Sequence, residues 1–186
     1  MLEDTTPAFA IRLAEPADAT KIATIHVRSW QHAYDRILPS EFLDALSIDD
    51  RESRWREHLQ EPPESDRRTW VAVIGDRLVG FVGAGSVGDT DVPSDAAEVF
   101  AIYLEPSFFG SGVGRILLAH AVDDLKQRGF TEAFLWVLRD NTRARRFYET
   151  AGWRFDGSEK RELRGEVVLD EVRYKVSLSH LERSPR

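Results

Sequence analysis

The stretch "FGSGVGRILLAH", residues 109–120, places three glycines at alternate positions directly before an apolar pattern of helical period. Glycine has no Cβ, so it permits sharp backbone turns and lets a ligand approach the backbone N–H groups closely. At the start of a helix these N–H groups and the helix dipole together favour a bound anion. The stretch therefore predicts a pyrophosphate-binding loop or, as the simpler alternative, a turn that allows a strand and a helix to pack closely.

The spacing of the glycines excludes the two most familiar nucleotide-binding loops. A P-loop requires Lys and then Ser or Thr after its last glycine, whereas Arg115 and Ile116 follow Gly114. A dinucleotide-binding fingerprint requires glycine at its first, third and sixth positions, and the sixth position counted from Gly110 is Arg115. The loop thus belongs to neither class.

The segments around the loop predict a mixed α/β fold, in which antiparallel hairpins flank a central strand–helix–strand–helix unit. Strands are expected over residues 10–13, 69–74, 78–84, 97–104, 133–138, 153–155 and 172–178, with residues 157–171 as a hairpin extension. Helices are expected from Pro16 to Ala33, on either side of Ser47, from Val113 to a stop at Gly129, and from Ala144 to a stop at Gly152.

Length and composition narrow the classes of function. The 186 residues suit one domain, expected over residues 9–178, with residues 1–8 and 179–186 as tails. The chain has no cysteine, so disulfides and zinc–thiolate sites are excluded, and the histidines show no paired spacing for a metal. An acidic start without an apolar run predicts a cytoplasmic protein with no membrane span. The net charge of -7 argues against nucleic acid and leaves room for a cationic small molecule.

Several separated segments, in this order along the chain, resemble the GCN5-related N-acetyltransferase (GNAT) family. The loop matches the family motif of Gln or Arg, two residues, Gly, one residue, then Gly or Ala, at Gly112 and Gly114, but Phe109 stands in place of the Gln or Arg. The other segments are "IRLAEPADATKIATIHVRSWQHAY" at 11–34, "AAEVFAIYLEP" at 96–106 and "LWVLRDNTRARRFYETAGW" at 135–153. The resemblance covers residues 10–178 and implies the GNAT fold, a mixed, mostly antiparallel central sheet with splayed fourth and fifth strands and flanking helices.

The resemblance implies acetyl-CoA as co-substrate. It implies cofactor-binding roles for Ile102, Tyr103, Leu104, Phe109, Gly110, Ser111, Gly112, Val113, Gly114, Arg115, Asn141, Phe147 and Tyr148. In the family, main-chain amides of the loop hold the pyrophosphate, and the backbone of the fourth strand pairs with the pantetheine arm. Asn141 would hold pantetheine, although an Asn before a helix is more simply a cap, and both roles are compatible.

Two residues are expected to be catalytic by the same resemblance. Tyr148 would protonate or hydrogen-bond the leaving thiolate, since a phenol with a reference pKa of about 10 keeps its proton at neutral pH. Glu98 would accept the proton that an ammonium loses before attack, directly or through water. The alternatives are that Tyr148 is a packed aromatic beside Phe147 and that Glu98 is a solvated strand end.

His26, Trp30 and Tyr34 recur four apart on the first helix and form either a pocket wall or core packing. In the family this helix covers the acceptor site, so the three residues are expected to contact substrate, and Trp55 is a weaker candidate. Their aromatic faces could hold an ammonium by cation–π contact. Arg143, Arg145 and Arg146 are interpreted as a solvated helix face, with the 3′-phosphate of CoA as an alternative partner.

These expectations converge on an acetyl-CoA-dependent N-acetyltransferase. Its acceptor would be a primary amine of a small molecule or a peptide, attacking directly in a ternary complex because no cysteine offers a covalent intermediate. The alternative is a non-catalytic acyl-CoA-binding or sensing module on the same fold, suggested by Phe109, and a more remote one is an interaction domain that binds no nucleotide. No metal is expected. The oligomeric state stays open, and a homodimer is compatible with the sequence.

Overall fold

The computed structural model describes residues 9–61, 66–86 and 91–178, so the expected tails at 1–8 and 179–186 lie outside the described residues. The strands are β1 (Ala10–Leu13), β2 (Arg68–Ile74), β3 (Arg77–Ser86), β4 (Ala96–Leu104), β5 (Glu132–Leu138), β6 (Arg154–Arg164) and β7 (Val167–Ser177). The helices are α1 (Ala19–Ala33), α2 (Ser40–Asp44), α3 (Ile48–Leu59), α4 (Val113–Gln127) and α5 (Thr142–Thr150). Short 3-10 turns precede α1 and follow β4 at Pro16–Asp18 and Pro106–Phe108.

Within the described residues the strands form one seven-stranded sheet in the order β1-β2-β3-β4-β5-β7-β6. All neighbours are antiparallel except β4 and β5, which are parallel and are joined through the glycine loop and α4. A parallel pair needs such a crossover because a tight turn cannot connect two strands that run in the same direction. The predicted mixed α/β fold is confirmed.

The two parallel strands separate soon after they meet. Only three residue pairs join them, and the last is Glu98 with Phe134. Beyond that pair, β4 stays hydrogen-bonded to β3 as far as Leu104, which pairs with Gly80. The edge of β4 that faces β5 is therefore unpaired from Val99 onward, which is the splay that the sequence resemblance implied.

Helices cover both faces of the sheet. Consecutive residues of β2 point to opposite faces, so Val71 joins the core under α1 and α3 while Ala72 joins the core under α4. Trp55 of α3 packs in the first of these cores, and Trp153, which follows α5, packs in the second. Among the described residues, none of the helices is long and apolar enough to cross a membrane.

The last hairpin agrees with the hairpin extension predicted at 157–171. The strands expected at 153–155 and 172–178 continue through that extension, so β6 and β7 run for 11 residues each and turn at Gly165, whose φ is 62°. The residues between them are mostly charged, and their alternating half-buried and exposed positions show a strand with one covered face. That covered face borders the cavity described next.

Candidate active site

A cavity of about 880 Å³ opens where β4 and β5 separate. Its walls include nearly all of the residues expected from the sequence: Glu98, Ile102, Tyr103, Leu104, Phe109, Gly110, Ser111, Gly112, Gly114, Arg115, Asn141, Phe147, Tyr148, His26, Trp30 and Tyr34. Val113 is the exception, because its side chain is only 3% exposed and packs in the core under α4. We call residues 109–115 and 141–148 the loop end of the cavity. We call the part lined by the following residues the hairpin end: Trp30, Arg51, Tyr103, Trp136, Lys160, Glu162, Arg164 and Glu171.

The glycine loop presents backbone N–H groups to the loop end. Gly110 and Gly112 have φ of 83° and 89°, a left-handed backbone that favours glycine. A Cβ built on either would have no heavy atom within 4 Å, so the loop leaves open space there. Within the described ranges, the N–H groups of Gly110, Gly112 and Gly114 have no protein acceptor, whereas Ser111 N–H bonds Phe108 O at 3.2 Å. Free N–H groups at the start of α4 form a cradle for an anion.

Gly114 serves a different purpose from the other two glycines. A Cβ at this position would lie 3.2 Å from Leu104 Cδ1, closer than an ordinary van der Waals contact. The absence of a side chain lets the first turn of α4 approach the end of β4. Gly114 thus allows the close packing of a strand and a helix that the simpler alternative predicted, Gly110 and Gly112 shape the turn, and pyrophosphate binding by the loop stays a prediction.

Phe109, which occupies the position of the family's Gln or Arg, contacts two side chains from other elements. The Arg143 guanidinium lies 4.5 Å from the centre of its ring, and the His32 ring lies 5.3 Å away. Arg143 and His32 both line the cavity. The aromatic ring therefore holds a cation at the loop end, although Phe109 itself supplies no polar donor.

The interpretation of the three arginines of α5 as a solvated face is wrong for one of them. Arg145 Nε donates to the Tyr174 hydroxyl at 3.0 Å, and its Nη1 donates to Arg139 O at 3.0 Å. These bonds fasten α5 to the sheet. Arg146 is exposed as expected, and Arg143 faces the cavity.

Asn141 caps α5, as its position before the helix predicted. Its side-chain oxygen accepts from Ala144 N–H at 3.1 Å. The same buried side chain lines the cavity, so its amide nitrogen is left to donate there. Asn141 can therefore fulfil both of the roles considered for it.

Tyr148 places a protonated phenol in the cavity wall. The residue is 8% exposed, and no side chain or backbone group in the described ranges hydrogen-bonds its hydroxyl. Burial, and secondarily the neighbouring Tyr103 hydroxyl, raise the pKa of Tyr148 well above its ordinary value. The phenol is thus a hydrogen-bond donor that does not ionise near neutral pH.

Glu98 lies at the junction of the two parallel strands. It is the last residue of β4 that pairs with β5, and its half-buried side chain borders the cavity. The alternative of a solvated strand end does not describe this position. Glu98 and Tyr148 line the same cavity.

His26 is a neutral part of the cavity wall. Its Nδ1 accepts from Trp55 Nε1–H at 3.2 Å, and its ring stacks on Tyr103 with 4.5 Å between centres. Burial is the main cause that lowers the pKa of His26 to about 3, and the charges of Arg51 and Arg164 contribute. An imidazole with so low a pKa is a weak base. Trp55, the weaker candidate, supports the wall from behind.

The Trp30 ring already contacts two cations of the protein. The guanidinium groups of Arg51 and Arg164 lie 5.4 Å and 5.7 Å from the ring centre. The Trp30 indole N–H is buried without a partner in hydrogen-bond geometry, although it is near enough to the Tyr103 hydroxyl to counteract the rise in the pKa of Tyr103. The Trp30 ring, which was expected to contact a substrate ammonium, therefore already contacts two guanidinium groups of the protein.

The hairpin end contains functional candidates that sequence reasoning missed. Besides Arg51 and Trp136, they come from β6 and β7: Lys160, Glu162, Arg164 and Glu171. The signal was the alternation of Lys160, Glu162 and Arg164, which puts all three on one face of β6. Recognising it as a site would have required the pairing of β6 with β7, in which Lys160 lies opposite Glu171.

Comparison with known proteins gives a consistent result. Residues 19–153 match the family model described as "Acetyltransferase (GNAT) family". The protein named uncharacterized N-acetyltransferase YuaI of Bacillus subtilis is 33% identical over 134 residues, 70% of this chain and 72% of that relative. The ribosomal protein bS18-alanine N-acetyltransferase of Escherichia coli K12 is 38% identical over 91 residues, 46% of this chain and 62% of that relative.

Solved structures share the fold at lower sequence identity. The PaiA N-acetyltransferase of Thermoplasma acidophilum in complex with coenzyme A has a TM-score of 0.74 and 21% identity, covering 91% of this chain and 99% of that one. The yncA protein of Salmonella typhimurium, a putative acetyltransferase solved with acetyl-CoA, has a TM-score of 0.68 and 20% identity, covering 96% and 98%. These likenesses show the fold.

Proposed function

The chain belongs to the GNAT family of acetyltransferases, whose co-substrate is acetyl-CoA, and from this we propose that it acetylates a primary amine of a small molecule or a peptide by direct attack in a ternary complex. One observation carries the proposal. A single cavity joins an unpaired strand edge, a loop with free N–H groups and the buried hydroxyl of Tyr148.

The residues at the loop end fit acetyl-CoA. The free N–H groups of Gly110, Gly112 and Gly114 suit a pyrophosphate. The unpaired backbone of β4 at Ile102–Leu104 offers donors and acceptors to an extended amide chain, in the way that a peptide adds to a sheet edge. Asn141 and Arg143 supply further donors beside it. Acetyl-CoA, when bound, supplies the thioester carbonyl that the amine attacks.

Tyr148 would act on the leaving sulfur. When the amine nitrogen bonds to the carbonyl carbon, the carbon–sulfur bond breaks and negative charge develops on sulfur. A phenol whose pKa lies above that of a thiol, about 8.5 for cysteine, stabilises this charge by donating a hydrogen bond rather than by giving up its proton outright. The neutral, buried hydroxyl therefore favours the hydrogen-bonding form of the two roles considered.

Glu98 would help to produce the neutral amine. An alkylammonium has a reference pKa of about 10, so it must lose a proton before its nitrogen can attack. Glu98 borders the same cavity as Tyr148 and can accept that proton directly or through water. The chain contains no cysteine, so a thiol-bound acetyl intermediate plays no part in the proposal.

The test is turnover of acetyl-CoA with a panel of primary amines and peptides. We expect amine-dependent thiol release, an N-acetylated product by mass spectrometry, and intersecting initial-rate lines when both substrates are varied. Saturable CoA binding without turnover of any amine would favour the binding or sensing module instead. A calorimetric titration with CoA that gives no heat would contradict both.

A further inference from the structure

The hairpin end of the cavity contains paired and unpaired cations. Lys160 Nζ lies 3.4 Å from a Glu171 oxygen, and Arg164 Nε lies 2.9 Å from a Glu162 oxygen. These two cations therefore have carboxylate partners within the hairpin itself. Arg51, which reaches the same space from α3, differs from them.

Arg51 is half-buried and has no carboxylate at ion-pair distance anywhere in residues 9–61, 66–86 and 91–178. Among charged groups, the cation Arg164 has the largest effect on the pKa of Arg51 and lowers it, while the adjacent Asp50 has a smaller, opposite effect. Partial burial of a guanidinium beside a like charge is unfavourable unless an anion compensates it. Burial and the charge of Arg164 both lower the pKa of Arg51, yet an arginine stays protonated at neutral pH.

Both guanidinium groups are held in place before any ligand arrives. Trp30 contacts each of them at 5.4 Å and 5.7 Å from its ring centre, and such contacts restrict where the long side chains can lie. Arg51 and Arg164 also line a second cavity, of about 970 Å³, beside α2 and the turn of the hairpin. They therefore border both cavities.

Tyr103 and Tyr148 line the same cavity as this pair of arginines. Tyr103 is close enough to Arg51 and Arg164 for their charges to lower its pKa, against a larger rise from burial. Tyr103 in turn influences Tyr148. An acceptor amine at Tyr148 would thus have Tyr103 and then the two arginines within the same cavity.

We propose that the acceptor is an aminocarboxylate, with its amine at Tyr148 and Glu98 and its carboxylate bound by Arg51 and Arg164. This rests on the proposed N-acetyltransferase function and gives it a substrate class. The planar guanidinium of Arg51 can donate two parallel hydrogen bonds to one carboxylate, which a lysine cannot do. The paired acids Glu162 and Glu171 keep the rest of the hairpin end neutral.

The test compares free amino acids with their carboxamides, which differ only in the anionic group. With acetyl-CoA saturating, we expect kcat/KM for the best amino acid to exceed that for its carboxamide by at least about tenfold. Arg51→Gln should abolish this preference by slowing the acid alone, and Arg51→Lys should restore part of it. The matched control is Arg56→Gln, because Arg56 lies on the same helix, is exposed, pairs with Glu52 and borders neither cavity. It should keep the preference.

A binding measurement separates this inference from the proposed function. Titration of the CoA-saturated protein with N-acetyl amino acids and with their carboxamides measures anion recognition without turnover. One outcome is that the acids bind more tightly than the carboxamides and that Arg51→Gln removes this difference, while no amine is acetylated. That combination would support the anion site and contradict the proposed catalysis. Equal turnover or equal binding of acids and carboxamides would overturn the anion site and leave the proposed catalysis standing.

Discussion

The two ends of the cavity are built by different means. The loop end uses main-chain N–H groups of residues 109–115 and side chains of residues 141–148, and each of these short segments follows a strand of the parallel pair. The hairpin end uses side chains from α1, α3, β4, β5, β6 and β7, which are distant in sequence. The first kind of site depends on local backbone conformation. The second depends on how separate elements pack, and so it can change its chemistry without changing the fold.

The largest effect is expected at Tyr148, the last residue of the loop end. Tyr148→Phe should lower kcat by on the order of 100-fold or more, because the leaving sulfur loses its hydrogen-bond donor. The dissociation constant for CoA should stay near that of the parent, since the ring and its contacts with Phe147 and Trp153 remain. Single-turnover kinetics measure the first quantity and calorimetry the second. An unchanged rate of the chemical step would contradict the catalytic role and leave Tyr148 as a packed core aromatic.

The next effect tests whether CoA binds the main-chain N–H groups of the glycine loop. Gly112→Val should weaken CoA binding at least about tenfold, or about 1.4 kcal/mol, because φ is 89° there and the added side chain would enter the open space of the cradle. Gly129→Val is the matched control, since Gly129 also has a φ of 89° and open surroundings but does not border the cavity. Both variants should lose stability, and only the first should lose affinity. Equal CoA affinities would contradict the assignment of the loop.

A stability measurement tests whether His26 is neutral in the folded protein. The unfolded chain binds a proton at His26 near pH 6.5, whereas the folded protein binds it only near pH 3. Stability from this group is therefore complete above about pH 6.5 and is lost as the pH falls toward 3, by about 1.4 kcal/mol per pH unit. Urea unfolding at pH 7.5 and 5.5 should show a drop in the wild type that His26→Gln lacks. A drop of equal size in both proteins would contradict the neutral state.

The smallest effect concerns the support of the hairpin end. Trp30→Ala should raise KM for the amine roughly fivefold, from the loss of about 1 kcal/mol of cation–π contact that holds Arg51 and Arg164. KM for acetyl-CoA should change less, because Trp30 lies outside the loop end. Trp30→Phe keeps an aromatic ring, so its KM for the amine should lie between those of the wild type and Trp30→Ala. A Trp30→Ala variant whose KM rises only for acetyl-CoA would contradict the assignment of the amine to the hairpin end and of acetyl-CoA to the loop end.

The sequence predicted the loop end more fully than the hairpin end, and the reason is physical. The alternate glycines report positive φ at Gly110 and Gly112, and Asn141 before a helical pattern reports a cap. Such properties belong to the residue and its neighbours. Arg51 and Arg164 become neighbours only through the packing of α3 and β6 near Trp30, which no local pattern reports.

The net charge did not predict the charge around the cavity, for the same reason. The overall excess of acids, a net charge of -7, left room for a cationic small molecule, and the charged residues around this cavity are Arg51, Arg115, Arg143, Lys160 and Arg164 with Glu98, Glu162 and Glu171. Net charge averages over the whole surface, whereas a ligand meets only the few groups that the fold brings together.

The early separation of β4 from β5 divides the sheet into two parts. Four strands lie on one side of the junction and three on the other, and the strand pairing between them consists of three residue pairs, at Ala96, Ala97 and Glu98. A ligand that spans the gap would join the two parts more firmly, because it would supply hydrogen bonds to the edge of β4 that is unpaired along Val99–Leu104. Amide hydrogens along that edge should then exchange more slowly with deuterium when acetyl-CoA is bound. In the proposed binding mode the co-substrate would act as an additional strand, and the sheet would be continuous only while acetyl-CoA is bound.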